Sequence, residues 1–314
     1  METKPFISVI IPCYNVEDYI EECLDSVFNQ TYRNFEVIVV DNNCTDRTIK
    51  MVEQYMSDKK VDIIVVQETN QGASCARNKG LLFSTGSWIQ FLDADDLLLP
   101  EKLEHQVGLI DDQTDIIASA TIERNTDGSE FIMTPHENII FGLMAGYRYV
   151  GSTCSNLWRK ASLDRINGFD VQQKSSQEID MMFRLYKSGY NFLKDDVPLA
   201  VIRKRVSGQM SRGDQVELSK NWLRLRCKQL SFFKDDLFSV LAPYHRVELF
   251  NYCLIRLSYQ AENYLQLSHD QFHEVVWPTF KKSYFKLDLR RQLIVFIYLV
   301  LGFSKGRVLI NRFK

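Results

Sequence analysis

FEVIVVDNNCTDRTIKMVEQYM (35–56) is the stretch that decides the fold. Its first six residues form a continuous apolar run rich in β-branched side chains, the pattern of a strand covered on both faces. A polar cluster, DNNCTD (41–46), follows at once, and DRTIKMVEQYM (46–56) then spaces its apolar residues three and four apart, a helical period. The same unit recurs on either side. ISVII (7–11), VDIIVV (61–66) and WIQFL (88–92) read as strands, and residues 17–29 and 73–83 as the helices between them. The alternation predicts βαβαβαβ, an α/β fold with a mostly parallel sheet flanked by helices.

Further along, DIIASATI (115–122) reads as another strand, after a helix that Pro100 opens, and Asn125-Thr126-Asp127-Gly128 as a turn into SEFIM. Residues 177–188 are helical with Gly189 as the stop, and NFLKD and LAVIRKRV read as late strands. From Asp214 to about Leu267 the sequence is almost entirely helical. The expected division is a catalytic domain over 1–213 and a helical C-terminal region over 214–314.

The 314 residues, 45% apolar and 25% charged, exclude fibrous and disordered classes. Seven cysteines without a C-x-x-C pair argue against a disulfide framework or a structural zinc. METKPF leads straight into the first strand, too short a run for a signal-peptide core, so the expected location is a reducing cytosol. Net charge is −2, but residues 276–314 carry +8 and residues 1–275 carry −10. LIVFIYLVLGF (293–303), flanked by Arg290, Arg291, Lys305 and Arg307, is well short of the ~20 residues of a spanning helix. It fits a segment lying in an anionic membrane interface, so peripheral contact through 276–314 on the cytoplasmic face is expected. The tail's core is aliphatic and the rest of the chain acidic, which argues against nucleic acid as a partner.

In an open α/β sheet, ligands bind beyond the carboxyl ends of the strands. Those ends read PCYN (12–15), DNNCTD (41–46), ETNQGASCARN (68–78) and DADD (93–96). Together they supply an aromatic, a glycine turn, an arginine and several carboxylates, as a nucleotide site with a metal requires. Asp93 and Asp95 are spaced to hold Mg²⁺ or Mn²⁺ beside a diphosphate, while Asp96 is expected to face solvent or to cap the next helix. No G-x-G-x-x-G follows the first strand, and neither a G-x-x-x-x-G-K-[ST] loop nor a G-x-S-x-G elbow occurs. His269 and His273, four apart, lack a third ligand at metal spacing.

SVIIPCYN, FEVIVVDNNCTDRT, NQGASCARNKG and WIQFLDADD, in this order, resemble the donor-binding half of glycosyltransferase family 2, inverting enzymes of the GT-A fold. LWRKASLDRINGFD (157–170), QEIDMMFRLYKSGY (177–190) and RKRVSGQMS (203–211) resemble its acceptor half, so the likeness spans roughly residues 5–211. The resemblance implies a nucleotide-sugar site with Pro12, Tyr14, Asn15, Asp41, Asn70, Gly72, Arg77 and Asp93. Tyr14 would lie on the base, Asp41 would accept from it, and Arg77 would sit near the diphosphate. Asp93 and Asp95 would form the D-x-D, with Asp95 as the direct metal ligand. Read without the resemblance, Tyr14 is equally a packing aromatic and Asp41 a helix cap.

The family's base is usually the Asp of a Glu-Asp pair six residues before the Arg of an R-L step. Counting back from Arg184 gives Glu178, with Gln177 in place of the acidic neighbour. Glu178 is therefore the expected base and Asp180 the fallback; two residues apart on a helix, they face different ways. His136, Asp170, Arg203 and Arg205 are candidates for the acceptor side. The expected activity is metal-dependent, inverting transfer from a nucleotide diphosphate-sugar, UDP as the first choice, to a hydroxyl of a lipid-linked surface glycan. The alternatives are a non-catalytic assembly subunit, suggested by Gln177-Glu178, and a nucleotidyltransferase, for which no triphosphate loop is present.

Overall fold

A computed structural model describes residues 4–145, 150–205 and 215–233. The chain divides into two compact units, Met1–Met210 and Ser211–Lys314. Of the second, the described part is one helix, Gln215–Phe233, with Leu225 and Phe233 among its buried residues. Among the described residues no helix is long and apolar enough to cross a membrane. The 293–303 stretch, His269, His273 and the boundary near 213 lie outside the described residues.

The first unit is built on a seven-stranded sheet. β1 (Ile7–Cys13), β2 (Phe35–Asp41), β3 (Ile64–Gln67) and β4 (Trp88–Phe91) are parallel and lie in the order β3-β2-β1-β4. The helices between them are α1 (Ile20–Phe28), α2 (Thr48–Lys59) and α3 (Ala73–Phe83). Ile7, Val9, Ile10 and Ile11 are wholly buried, so β1 is the sheet's spine. The chain winds outward from β1 to β3 and returns to its other side for β4. That reversal opens a crevice beyond the carboxyl ends of β1 and β4. α3 lies against β1 so closely that a Cβ on Gly80 would come within 2.3 Å of Ile10 Cγ2.

Beyond β4 the sheet continues through β9 (Leu157–Arg159), β6 (Ile116–Ser119) and β10 (Phe192–Asp195). β9 runs antiparallel to both neighbours and was not anticipated, because three residues are too few to show a period. The run 115–122 is not one strand. It divides at Ala120 into β6 and β7 (Thr121–Arg124), and β7 belongs to a second sheet. That sheet has the order β5 (Leu97–Leu98), β11 (Ala200–Arg203), β7, β8 (Glu130–Met133). β3 also departs from expectation: as the edge strand it leaves Ile64 and Val65 exposed instead of covered on both faces.

The helices α4 (Lys102–Val107), α5 (Ile139–Ala145), α6 (Lys160–Arg165) and α7 (Gln177–Lys187) complete the unit. α7 buries Ile179, Met181, Met182, Phe183 and Leu185, and this apolar face fixes how its first turn meets the rim. The six described cysteines are free thiols.

Candidate active site

The register of β1, β2 and β3 aligns Cys13 with Asp41 and Asp41 with Gln67, so the loops that follow share one rim. Asn42 knits them together. It is buried, donates to the carbonyls of Glu68 and Asn70 at 2.8 Å each, and accepts from the Gly72 N–H at 2.8 Å. Asn15, in the left-handed region at φ 49°, accepts from the Thr45 N–H at 2.8 Å. Asp41 accepts from the Cys44 N–H at 2.8 Å and so closes its own loop, whereas α2 begins after Arg47; Asp41 is not a helix cap. Asn70 donates to Glu68 Oε1, and Gly72, at φ 140°, carries the chain into α3. Tyr14 is 53% exposed on the same rim, so it is not a core packing residue. Burial pushes the Cys44 thiol up to about 11, leaving it protonated at neutral pH.

Arg77 organises the end of β4. It is only 4% exposed, and one guanidinium nitrogen meets Asp93 Oδ1 at 2.6 Å while the other donates to Gln177 Oε1 at 3.1 Å. Burial pulls its pKa down, but Asp93 overcomes this and leaves it raised. The guanidinium lies over the Phe169 ring, and Asn78 holds Phe169 by donating to its carbonyl and accepting from its N–H, both at 2.8 Å. Thus Arg77 and Asn78, adjacent on α3, tie the β4 end to the segment before α7.

Asp95 accepts from Arg205 Nε, and its carbonyl accepts from Arg203 Nε. Both guanidinium groups stack on Tyr19, at 5.2 Å for Arg203 and 4.8 Å for Arg205, and Arg203 also pairs with Glu22. Asp96 corrects an expectation. It neither faces solvent nor caps a helix; it is buried, accepting from the Arg203 N–H at 2.9 Å and from the Cys154 thiol at 3.3 Å. Burial and then the charges of Asp95 and Asp93 raise its pKa well above the usual carboxylate range. Ligand atoms of Asp93, Asp96 and Cys154 lie within 4.8 Å of one another.

Asp93 and Asp95 carry hard carboxylate oxygens, the donors that Mg²⁺ and Mn²⁺ take, but Arg77 pairs with Asp93 and Arg205 with Asp95, so an ion would share these carboxylates with the two guanidinium groups. The donor chemistry of the two carboxylates fits such an ion. The Cys154 thiol is a soft donor whose pKa burial raises, and it suits these ions poorly.

α7 starts at Gln177, after Ser176 in the left-handed region at φ 53°. Glu178 follows, partly exposed and close enough to add to the positive-charge preference of Arg77. Asp180, by contrast, is 1% exposed and pairs with Arg184 Nε at 2.7 Å, while Arg184 also donates to the Ile166 carbonyl at 2.8 Å. Asp170 is exposed and accepts from the Gln172 N–H, and His136 Nδ1 accepts from the Asn138 N–H. Arg203 and Arg205 are joined directly to Asp95 at the rim.

Behind the rim is a buried polar layer. Gln106 donates to Ser119 Oγ at 2.6 Å, Ser119 donates to Asp195 Oδ2 at 2.8 Å, and His105 Nε2 lies 3.0 Å from Asp195 Oδ1. Lys102, 1% exposed, has no hydrogen-bond partner for its amine among the described residues, and burial holds its pKa well below the usual lysine range.

The fold is that of GT-A glycosyltransferases. TarS 1–349 of S. aureus, solved in complex with UDP-GlcNAc, matches with a TM-score of 0.69 at 20% identity, covering 96% of this chain and 89% of that one. The mannosyltransferase PcManGT of Pyrobaculum calidifontis, solved with GDP-Man and Mn²⁺, matches with a TM-score of 0.55 at 19% identity, covering 98% and 83%. The family model for glycosyl transferase family 2 matches residues 8–177. The amylovoran biosynthesis glycosyltransferase AmsB of Erwinia amylovora is 31% identical over 232 residues, 69% of this chain and 76% of AmsB. The putative teichuronic acid biosynthesis glycosyltransferase TuaG of Bacillus subtilis is 42% identical over 105 residues, 33% of this chain and 41% of TuaG. The chain belongs to glycosyl transferase family 2.

Proposed function

We propose that the protein transfers a sugar from a nucleoside diphosphate-sugar to a hydroxyl of a growing surface polysaccharide, with inversion at the anomeric carbon. The observation that carries this reading is the Arg77 bridge, which joins a D-x-D carboxylate to the first turn of α7, where Glu178 lies. Tyr14 stacks on the base, Asp41 accepts from it, and the loop residues Pro12, Asn15, Asn70 and Gly72 shape the nucleotide pocket. UDP is the favoured nucleotide. Asp93 and Asp95 would hold Mg²⁺ or Mn²⁺, which would supply Lewis-acid stabilisation of the departing diphosphate.

The acceptor oxygen bonds to the anomeric carbon from the face opposite the diphosphate as the bond from that carbon to the diphosphate oxygen breaks. Glu178 takes the hydroxyl proton. Asp180 is unsuited to that task, because Arg184 already occupies it in a buried pair. The basic, apolar region 276–314 favours a lipid-linked acceptor and peripheral attachment to the cytoplasmic face of the membrane. A polysaccharide product is in keeping with the names of AmsB and TuaG.

The test is thermal denaturation with Mn²⁺ or Mg²⁺ and a panel of UDP, GDP, dTDP and CMP. A ligand at about 100 times its Kd adds roughly 2.7 kcal/mol, enough to raise Tm by several degrees. The expected result is a metal-dependent shift with one of them, lost in Asp95→Ala. No shift with any nucleotide would sink the reading.

A further inference from the structure

We propose that Gln177 is a positioning residue for glycosyl transfer: through the Arg77 guanidinium it sets the spacing between Asp93, at the end of β4, and Glu178, its neighbour in α7. The proposal rests on the reading of Glu178 as the base. A guanidinium is planar, and its two terminal nitrogens are held at a fixed separation, so groups bound one to each are held in a fixed relation. Arg77 binds Asp93 Oδ1 with one and Gln177 Oε1 with the other. Its Nε has no hydrogen-bond partner among the described residues, so its directional bonding is spent on these two contacts.

The bridge is immobilised from below. Arg77 lies over Phe169, Phe169 packs edge-on against Phe91 at 5.2 Å, and Asn78 holds the Phe169 backbone from both sides. Gln177 is itself buried, so its contact is a desolvated one. It is also the first residue of α7, directly after the left-handed turn at Ser176. A contact at that point fixes where the helix begins, and hence where the next residue, Glu178, is presented.

Asp93 contacts Arg77 directly, and Glu178 adds to the guanidinium's preference for its charged form. Gln177 thus supplies an acceptor oxygen to Arg77.

The experiment uses the full chain. Nucleotide release is followed from UDP-GlcNAc, UDP-glucose and GDP-mannose with Mn²⁺, water serving as acceptor, alongside calorimetric Kd values for UDP with Mn²⁺ and Tm. Gln177→Ala is expected to slow turnover about 10- to 100-fold while the UDP Kd stays within about threefold. Gln177→Glu, which keeps the acceptor oxygen, is expected to recover turnover to within about threefold of wild type. Wild-type turnover in Gln177→Ala, an equal loss of turnover and UDP affinity, or a Gln177→Glu variant as slow as Gln177→Ala would overturn the proposal. Glu178→Gln separates the two levels. If it is inactive while Gln177→Ala is fully active, the positioning role alone fails. If it is fully active, or if the wild-type protein releases nucleotide from no donor, the underlying reading fails and the proposal with it.

Discussion

Lys102 shows how much a single side chain contributes to the character of this molecule. Its ammonium is costly to bury, and no hydrogen bond offsets that cost among the described residues. With a folded pKa below the unfolded one, the penalty is full at pH values under the folded pKa. It shrinks as pH rises and vanishes above the ordinary lysine value, so this group makes stability increase with pH across that window. Lys102→Met is expected to stabilise the protein by about 1–3 kcal/mol at neutral pH and to flatten that slope, as measured by urea denaturation at several pH values. A less stable variant would mean that the amine has a role in the buried layer. Asp46 illustrates the opposite sign. Burial raises its pKa, but the Thr48 side chain and N–H and the Glu17 N–H outweigh that and lower it. Its stabilisation is present above the ordinary carboxylate value and lost as pH falls through the folded one. Asp46→Asn should therefore shift the acid-unfolding midpoint upward toward neutral pH.

Several rim residues were legible as types before they were legible as partners. Asp93 stands out because it follows an apolar run, whereas Arg77 and Glu178 stand out through the family resemblance. Asn42 and Asn78 do not, although each makes three or two of the bonds that shape the rim. An asparagine in a polar loop gives no local sign of whether its amide points to solvent or reaches a backbone 26 or 91 residues away. Gln177 reads in sequence as a lost carboxylate, which favoured a non-catalytic relative. Its amide oxygen accepts from Arg77, a contact that the sequence alone does not reveal.

At the scale of elements, α3 carries Arg77, one of the residues proposed for the donor site. Its Gly80 faces Ile10 with no room for a side chain, while Arg77 and Asn78, one turn earlier, reach toward Asp93 and Phe169. Gly80→Val is expected to lift α3 from β1 and to cost about 1–3 kcal/mol, measured by denaturation, with the nucleotide-induced Tm shift reduced as Arg77 moves. Asn78→Ala should cost a similar ~1–3 kcal/mol through the two Phe169 backbone groups it leaves unpaired, without touching the loops of Asp41 and Asn70. The parallel strands and their crossover helices were readable because each spans enough residues to show a period. β5 and β9, of two and three residues, were not. The division of 115–122 between two sheets was hidden too, since a bend at one buried alanine leaves the apolar pattern unbroken.

For the whole molecule, the charge asymmetry between residues 1–275 and 276–314 governs surface behaviour more than stability. Cosedimentation of the full chain with phosphatidylglycerol vesicles should exceed that with phosphatidylcholine vesicles and fall with added salt. Each basic side chain near the surface contributes about 1 kcal/mol. Replacing Arg290, Arg291, Lys305 and Arg307 by Gln should remove most of the difference; equal binding to both vesicle types would dismiss the membrane assignment.

The antiparallel insertion of β9 has a further consequence, one of timing during synthesis. β4 is paired on one side by β1 as soon as both exist, but its other edge waits for Leu157–Arg159, about 66 residues later. At ~5–20 residues per second, the ribosome leaves that edge open for roughly 3–13 s. Throughout this interval the segment from β1 to β4 is complete in sequence but not in hydrogen bonds. Its exposed hydrogen-bonding edge, and not the finished surface, is where a chaperone or a second nascent chain would find purchase.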